Sequence, residues 1–257
     1  MLFDTHCHLD PEYFPDADEV LARARSAGVG HFCVIGVGSL AAARNAVELA
    51  ERRPEVLATV GVHPHDAATL DAALEGELGA LLARERVRAL GEVGLDYHYD
   101  HSPRDVQGEV FRRMIALARA TKKPLVIHTR SAPDDTLAIL EGEGARDVGG
   151  IIHCFSEDRR FATRALDLGF YLSFSGIVTF KNAHAIHEVA RVAPADRILV
   201  ETDSPYLAPV PVRGKKCEPA FVVHTAKRLA ELRGVALGDI ETQTTENAAR
   251  AFGVSLA

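Results

Sequence analysis

The chain has 257 residues, 47% of them hydrophobic and 25% charged, with a formal net charge of −7. A chain of this length buries a large core with no need of disulfides or a structural metal, and its composition excludes a disordered or fibrous protein. The acidic balance excludes a protein that coats duplex nucleic acid through a broad basic face. The absence of any run of about 18 apolar residues excludes a membrane-spanning helix.

Read in order, short β-rich runs alternate with longer amphipathic ones. "LFDTHCH" carries His6 and His8 at its end. "DADEVLARARSAG" follows as a helix, with Asp16 as N-cap and Gly28 as the stop. "HFCVIGV" comes next, then "VLATVGVH", with His63 at its end and His65 just beyond Pro64. "VRALGEVG" holds Glu92 and precedes the helical "PRDVQGEVFRRMIALARATKK". "PLVIHTR" then brings His128 and Arg130, and "GGIIHCF" brings His153. "FYLSFSG" is followed by "RILVETD", which ends in Asp203, and "VALGDIETQTTENAARAFG" reads as a closing pair of helices. Apolar strand runs of this length fit a buried parallel sheet. Eight strand–helix alternations predict an α/β fold, the (β/α)8 TIM barrel, although a doubly wound open sheet would alternate as well. With no Pro/Gly-rich linker, residues 1–257 read as one domain. Cys7, Cys33, Cys154 and Cys217 stand far apart without CxxC pairing. They are expected to be reduced thiols of a cytoplasmic protein.

Polar residues collect at the C-terminal ends of these strands, where barrel active sites are assembled. Side chains alternate along a strand, so His6 and His8 face the same way. On that parity Asp4 lies one layer below His6, and Glu201 one layer below Asp203. Buried carboxylates need partners, and both are expected to orient the imidazoles above them. Thr5, Cys7, Cys154 and Thr202 should then point outward. Four imidazoles and two carboxylates in one mouth call for cations. Six ligands exceed what one tetrahedral ion takes, which suggests two ions. The expected split gives His6, His8 and Asp203 to one ion and His128 and His153 to the other, with Glu92 spanning both.

The motifs "DTHCHLD", "GVHPHDA", "GEVGLDY", "VIHTR", "IHCFS", "ETDSPYLAPVP" with "RGK", and "TTENAARAFG" together resemble the TatD family of metal-dependent deoxyribonucleases. The resemblance implies a TIM-barrel hydrolase with two divalent ions, acting on phosphodiester bonds as a 3′ exonuclease that prefers single strands. Its metal ligands map onto His6, His8, Glu92, His128, His153 and Asp203. One departure is that Cys217 stands where the family commonly has Asn before Glu-Pro.

From these residues follows an in-line attack of activated water on phosphorus, with Glu92 and Asp203 as the catalytic carboxylates and Asp203 taking the proton. Arg130 offers a planar fork to a phosphate oxygen. His63 and His65 are not needed as ligands and are assigned to substrate. Arg213 and Lys215 in "VRGKKCE" should meet phosphates, and Tyr97 and Tyr206 should stack on bases. His98 and His101 read as exposed loop residues, and His31, His184, His187 and His224 as structural. Mg²⁺, Mn²⁺ or Zn²⁺ would suit the ligands. The expected partner is a single-stranded DNA end, with no membrane involved and the protein a monomer. The rival reading is a metallohydrolase of the same superfamily cleaving a C–N or ester bond in a small molecule or an aminoacyl-tRNA. Such enzymes often bridge their ions with a modified Lys at the fourth strand, where this chain has Glu92.

Overall fold

The computed structural model describes residues 1–255. The apolar runs form eight strands: β1 (Leu2–Cys7), β2 (Val29–Gly36), β3 (Val56–Val60), β4 (Val87–Asp96), β5 (Leu125–Arg130), β6 (Gly150–Ile152), β7 (Phe170–Phe174) and β8 (Ile198–Val200). Nine helices are described between and after them: α1 (Ala17–Ser26), α2 (Leu40–Arg52), α3 (Ala72–Leu82), α4 (Arg104–Thr121), α5 (Pro133–Gly142), α6 (Arg159–Asp167), α7 (His184–Val192), α8 (Val222–Arg233) and α9 (Leu237–Phe252). The strands hydrogen-bond in chain order from β1 to β8. β1, β3 and β8 are buried along their whole length, as expected of parallel strands covered on both faces. The order returns to its start. The Asp203 N–H donates to the His6 carbonyl at 2.9 Å, and the His8 N–H to the Ser204 carbonyl at 2.8 Å. Parallel strands in sequence order, with a helix after each and the last paired to the first, are the (β/α)8 fold.

The chain divides into two compact units, one of residues 1–34, 154–162 and 171 onward, the other of residues 35–153 and 163–170. In the first, α1 starts where Asp16 accepts the Glu19 N–H at 3.0 Å, and it buries Val20, Leu21 and Ala24. Phe3 stacks on Phe252 of α9 at 5.6 Å, and Phe155 meets Phe174 edge-on at 5.8 Å. The closing segment is one helix, α9, rather than a pair. Gly238 lies in its first turn, where helix formation is not yet committed to a full set of hydrogen bonds.

In the second unit, α4 buries Val110, Phe111, Met114, Ile115 and Ala118 along one stripe. β4 and β5 approach closely at two glycines. A Cβ on Gly91 would lie 2.6 Å from the Val126 carbonyl oxygen, and one on Gly94 would lie 1.9 Å from that of His128. Gly94 also holds φ +142, a conformation that only glycine adopts freely. Among the described residues no helix is long and apolar enough to cross a membrane.

Strict alternation fails in β1. Asp4 pairs with Phe32 and Cys7 with Val34, so β1 has one residue more than β2 across this interval, a bulge that breaks parity. Asp4 therefore does not orient the imidazole above it. Its carboxylate accepts the Thr202 N–H at 2.9 Å, the Thr202 hydroxyl at 2.6 Å and, at 3.4 Å, the His6 N–H. Thr202 accordingly turns toward Asp4, and the Thr5 hydroxyl donates to the Val200 carbonyl at 3.0 Å.

Candidate metal centre

In the first unit β1 delivers His6 and His8, and the turn after β8 delivers Asp203. Asp203 has φ +57, a left-handed conformation that Asp tolerates better than most residues. His6 Nε2 and His8 Nε2 are 3.3 Å apart, and Asp203 Oδ1 lies 3.7 Å from the first and 3.5 Å from the second. Ligands held at about 2.0–2.2 Å from one tetrahedral ion sit about 3.3–3.6 Å from each other. The triangle thus fits a divalent cation, and two imidazole lone pairs beside a carboxylate are a donor set that suits one. His6 is fully buried, whereas the side chains of His8 and Asp203 keep about a seventh of their surface open. An ion here would have room for water or substrate. Glu201 accepts the Cys154 N–H at 2.8 Å. The Tyr206 ring stands edge-on to His8 at 6.2 Å, and its hydroxyl meets that of Tyr13 at 2.9 Å. In the following loop Arg213 lies over the Phe180 ring at 4.3 Å and Lys216 over Phe14 at 4.2 Å, while Lys215 is exposed. Cys217 is fully buried. Its N–H donates to the Pro205 carbonyl at 3.0 Å, and burial first, then the negative charges of Asp4 and Asp203, push its thiol well above its ordinary range. The departure from the family pattern therefore changes the packing of this loop rather than its solvent face.

In the second unit the centre is Glu92, buried in β4. Its Oε1 lies 2.8 Å from His128 Nδ1, 3.3 Å from His153 Nε2 and 3.5 Å from His63 Nε2. His63, Glu92 and His128 form a second group able to hold an ion. His63, which the sequence assigns to substrate, thus stands within ligand distance of Glu92 and His128. It lies beyond β3, at the N-cap of a 3-10 turn, Pro64–Thr69, and its Nδ1 accepts the His65 N–H at 3.2 Å. Burial, only partly offset by Glu92, lowers its pKa, and the bond accepted at Nδ1 leaves Nε2 as the ring nitrogen on the side of Glu92.

Asp96, at the end of β4, belongs to this cluster and escaped the sequence reading. Its Oδ2 is 3.0 Å from His65 Nε2 and 3.2 Å from His128 Nε2. Burial alone would raise this carboxyl. Hydrogen bonds from His128, Tyr99 and His65 outweigh it and hold Asp96 well below the usual carboxylate range. Burial lowers His128 as well, but its bonds to Asp96 and Glu92 leave it raised overall. The clue was spacing, since Asp96 stands four residues after Glu92 on one strand face, in the motif "GEVGLDY". His101 and Tyr99 also join the cluster, with rings 4.6 and 5.5 Å from His65. Arg130 is exposed, its guanidinium 4.7 Å above the Tyr99 ring. Tyr97 is engaged elsewhere: its hydroxyl donates to Asp135 at 2.9 Å, and Arg104 covers its ring at 4.4 Å.

The family described as TatD related DNase matches residues 3–253. The chain is 45% identical over 256 residues to YabD of Bacillus subtilis, named an uncharacterized metal-dependent hydrolase, covering 99% of this chain and all of that one. It is 46% identical over 260 residues to YcfH of Escherichia coli K12, which carries the same description, covering 98% and 96%. Among solved structures, the TatD homologue YjjV of Escherichia coli K12 superposes with a TM-score of 0.92 at 28% identity, covering 99% and 98%.

Proposed function

We propose, from the premise that this chain belongs to the TatD family of metal-dependent hydrolases, that it removes nucleotides from the 3′ end of single-stranded DNA, and also of RNA. It does so with two divalent ions, Mg²⁺, Mn²⁺ or Zn²⁺. The observation that carries this reading is the His6–His8–Asp203 triangle, with edges of 3.3–3.7 Å, in a chain matched along nearly its whole length by a family described as DNases. One ion belongs to that triangle and the other to Glu92, His128 and His153. When bound, such ions polarise a phosphoryl oxygen and lower the pKa of water toward neutrality.

The protein's own groups supply the rest. Asp203 takes the proton of the attacking water at its carboxylate. Glu92 holds the ligand set of the second unit together through a single oxygen. The His63 Nε2–H donates to a non-bridging phosphate oxygen, and His65 steadies that ring edge-on at 4.3 Å. Arg130, exposed above Tyr99, presents its fork to a neighbouring phosphate. Tyr206, 48% exposed beside His8, offers a face to a base. Arg213 and Lys215 meet the backbone of the strand, and Tyr97 shapes the rim through Asp135 and Arg104. Cys7, Cys33 and Cys217 are buried thiols, which fits a protein working in a reducing cytoplasm, and the protein acts there as a monomer.

The test is to strip the protein of metal, add end-labelled single-stranded DNA or RNA, and restore Mg²⁺, Mn²⁺ or Zn²⁺ in turn. Stepwise shortening from the 3′ end is expected with at least one ion. Inertness on both polymers, together with turnover of a small amide or an aminoacyl ester, would overturn the reading.

A further inference from the structure

Asp96 makes more hydrogen bonds than a turn residue needs. It is fully buried, and both carboxylate oxygens are used twice. Oδ1 accepts the N–H groups of His98 and Tyr99, each at 2.9 Å. Oδ2 faces the Nε2 atoms of His65 and His128 at 3.0 and 3.2 Å. The backbone is clamped as well: Gln107, itself fully buried, accepts the Asp96 N–H at 2.8 Å and donates to the Asp96 carbonyl at 3.1 Å and the Ser102 carbonyl at 2.8 Å. A carboxylate so fixed cannot turn away from the two imidazoles.

An ionised carboxylate only accepts hydrogen bonds. Each imidazole must therefore bring a proton at Nε2 to Asp96. For His128 this leaves Nδ1, 2.8 Å from Glu92 Oε1: without an ion that nitrogen also donates a proton, to Glu92, and when the proton is released on ion binding it is the Nδ1 lone pair that serves the cation. We propose that Asp96 is a positioning residue for the second ion: by holding His128 in the Nε2–H form it makes Nδ1 the ligating atom, and by holding His65 in the same form it keeps that ring beside His63. This rests on the reading that Glu92, His128 and His153 bind an ion. A partner of this kind on a ligating imidazole fixes both ring orientation and tautomer.

The conservative substitution is diagnostic because Asp96 accepts on both sides. In Asp96→Asn, one side must carry an NH₂ group. If that group faces the backbone, it meets two N–H donors. If it faces the rings, it meets two more, unless His128 moves its proton to Nδ1 and gives up its ligating lone pair. Either outcome loosens the second ion and leaves the His6–His8–Asp203 triangle alone.

The experiment titrates metal-depleted full-length protein with Mn²⁺ and with Zn²⁺ by calorimetry, for wild type, Asp96→Asn and Glu92→Ala. Wild type should bind two ions, and Glu92→Ala should lose one. Asp96→Asn should weaken one site about 10- to 100-fold and keep the other at wild-type affinity. If wild type binds two ions, Glu92→Ala loses one and Asp96→Asn keeps both affinities, the positioning role is wrong and the ion assignment stands. If Glu92→Ala binds ions like wild type, the ion assignment itself has failed, and the proposal with it. A second measurement uses wild type alone: long-range nitrogen–proton spectra of histidine-labelled, Zn²⁺-loaded protein, with His128→Gln to identify the resonance. A proton on Nε2 of His128 is expected, and a proton on Nδ1 overturns the proposal. A role confined to packing the loop would lower the metal-free melting temperature of Asp96→Asn and move neither readout.

Discussion

The close approach of β4 and β5 at Gly94 makes the placement of His128 testable by adding one methyl group. In Gly94→Ala the new Cβ would lie 1.9 Å from the His128 carbonyl oxygen, about 1.5 Å inside the 3.4 Å at which ordinary contact begins. The obstacle is backbone, so no rotamer relieves it. Gly94 and His128 are paired in register, so β5 must slide or lift at the residue whose ring faces Glu92. Overpacking of a tight interior costs about 1–3 kcal/mol, and a sparsely populated backbone conformation forced on alanine costs about 1–3 kcal/mol more. Together they are a large share of the roughly 5–15 kcal/mol by which folded domains are stable. For a chain of this size about 1 kcal/mol moves the melting temperature by roughly 2–4 °C, so a fall of about 4 °C or more is expected. Thermal unfolding followed by circular dichroism reads it, and calorimetric titration with Mn²⁺ should show weaker binding at the second ion. Gly79→Ala is the control. Gly79 lies within α3 with nothing within 4 Å of its added Cβ, so alanine there should stabilise by about 0.5–1 kcal/mol. Wild-type melting and metal binding in Gly94→Ala would refute the claim that this contact sets the position of His128.

Asp203→Asn should keep the fold and lose about 100- to 10,000-fold of the turnover rate; nuclease assays showing full activity would remove Asp203 as the proton acceptor. Binding of single-stranded DNA should weaken only modestly with salt, because few cations face the substrate, and a logarithmic slope equivalent to about eight phosphate contacts would contradict that. His187 donates from Nε2 to the Val178 carbonyl at 2.8 Å, and burial first, then nearby cationic groups, lowers its pKa below the ordinary 6.5. The unfolded chain therefore takes up a proton before the folded one does, and stability is lost as pH falls from about 6.5 through the folded value. In melting curves between pH 7.5 and 5.5, His187→Gln should lose less than wild type on acidification; parallel profiles would show that this ring does not titrate on unfolding.

The sequence shows its strands and helices plainly because parallel strands buried on both faces leave unbroken apolar runs, as in "PLVIHTR". The candidate metal ligands are legible for a related reason: a polar residue ending such a run stands out. What escaped depends on backbone detail. Asp4 and His6 share parity on paper, and a bulge in β1 separates them. The sequence reading ended the fourth strand at Gly94, which hid Asp96 although it lies two residues further along the same face. His101 is the exposed loop residue it reads as, but its contact with His65 joins two separate turns and leaves no mark in the sequence. Cys217 gave no sign of its burial, since the run "VRGKKCE" is otherwise polar.

The bond from Asp4 to Thr202 joins residues 198 positions apart. Contacts this distant in sequence form late, after most of the chain has been organised. During synthesis His6 and His8 emerge early, yet Asp203, the third member of the candidate triangle, follows only after Thr202 and the long stretch of chain between them. A nascent or truncated product therefore carries the paired imidazoles without the carboxylate that completes them. The candidate triangle is complete only once these distant stretches of chain have met.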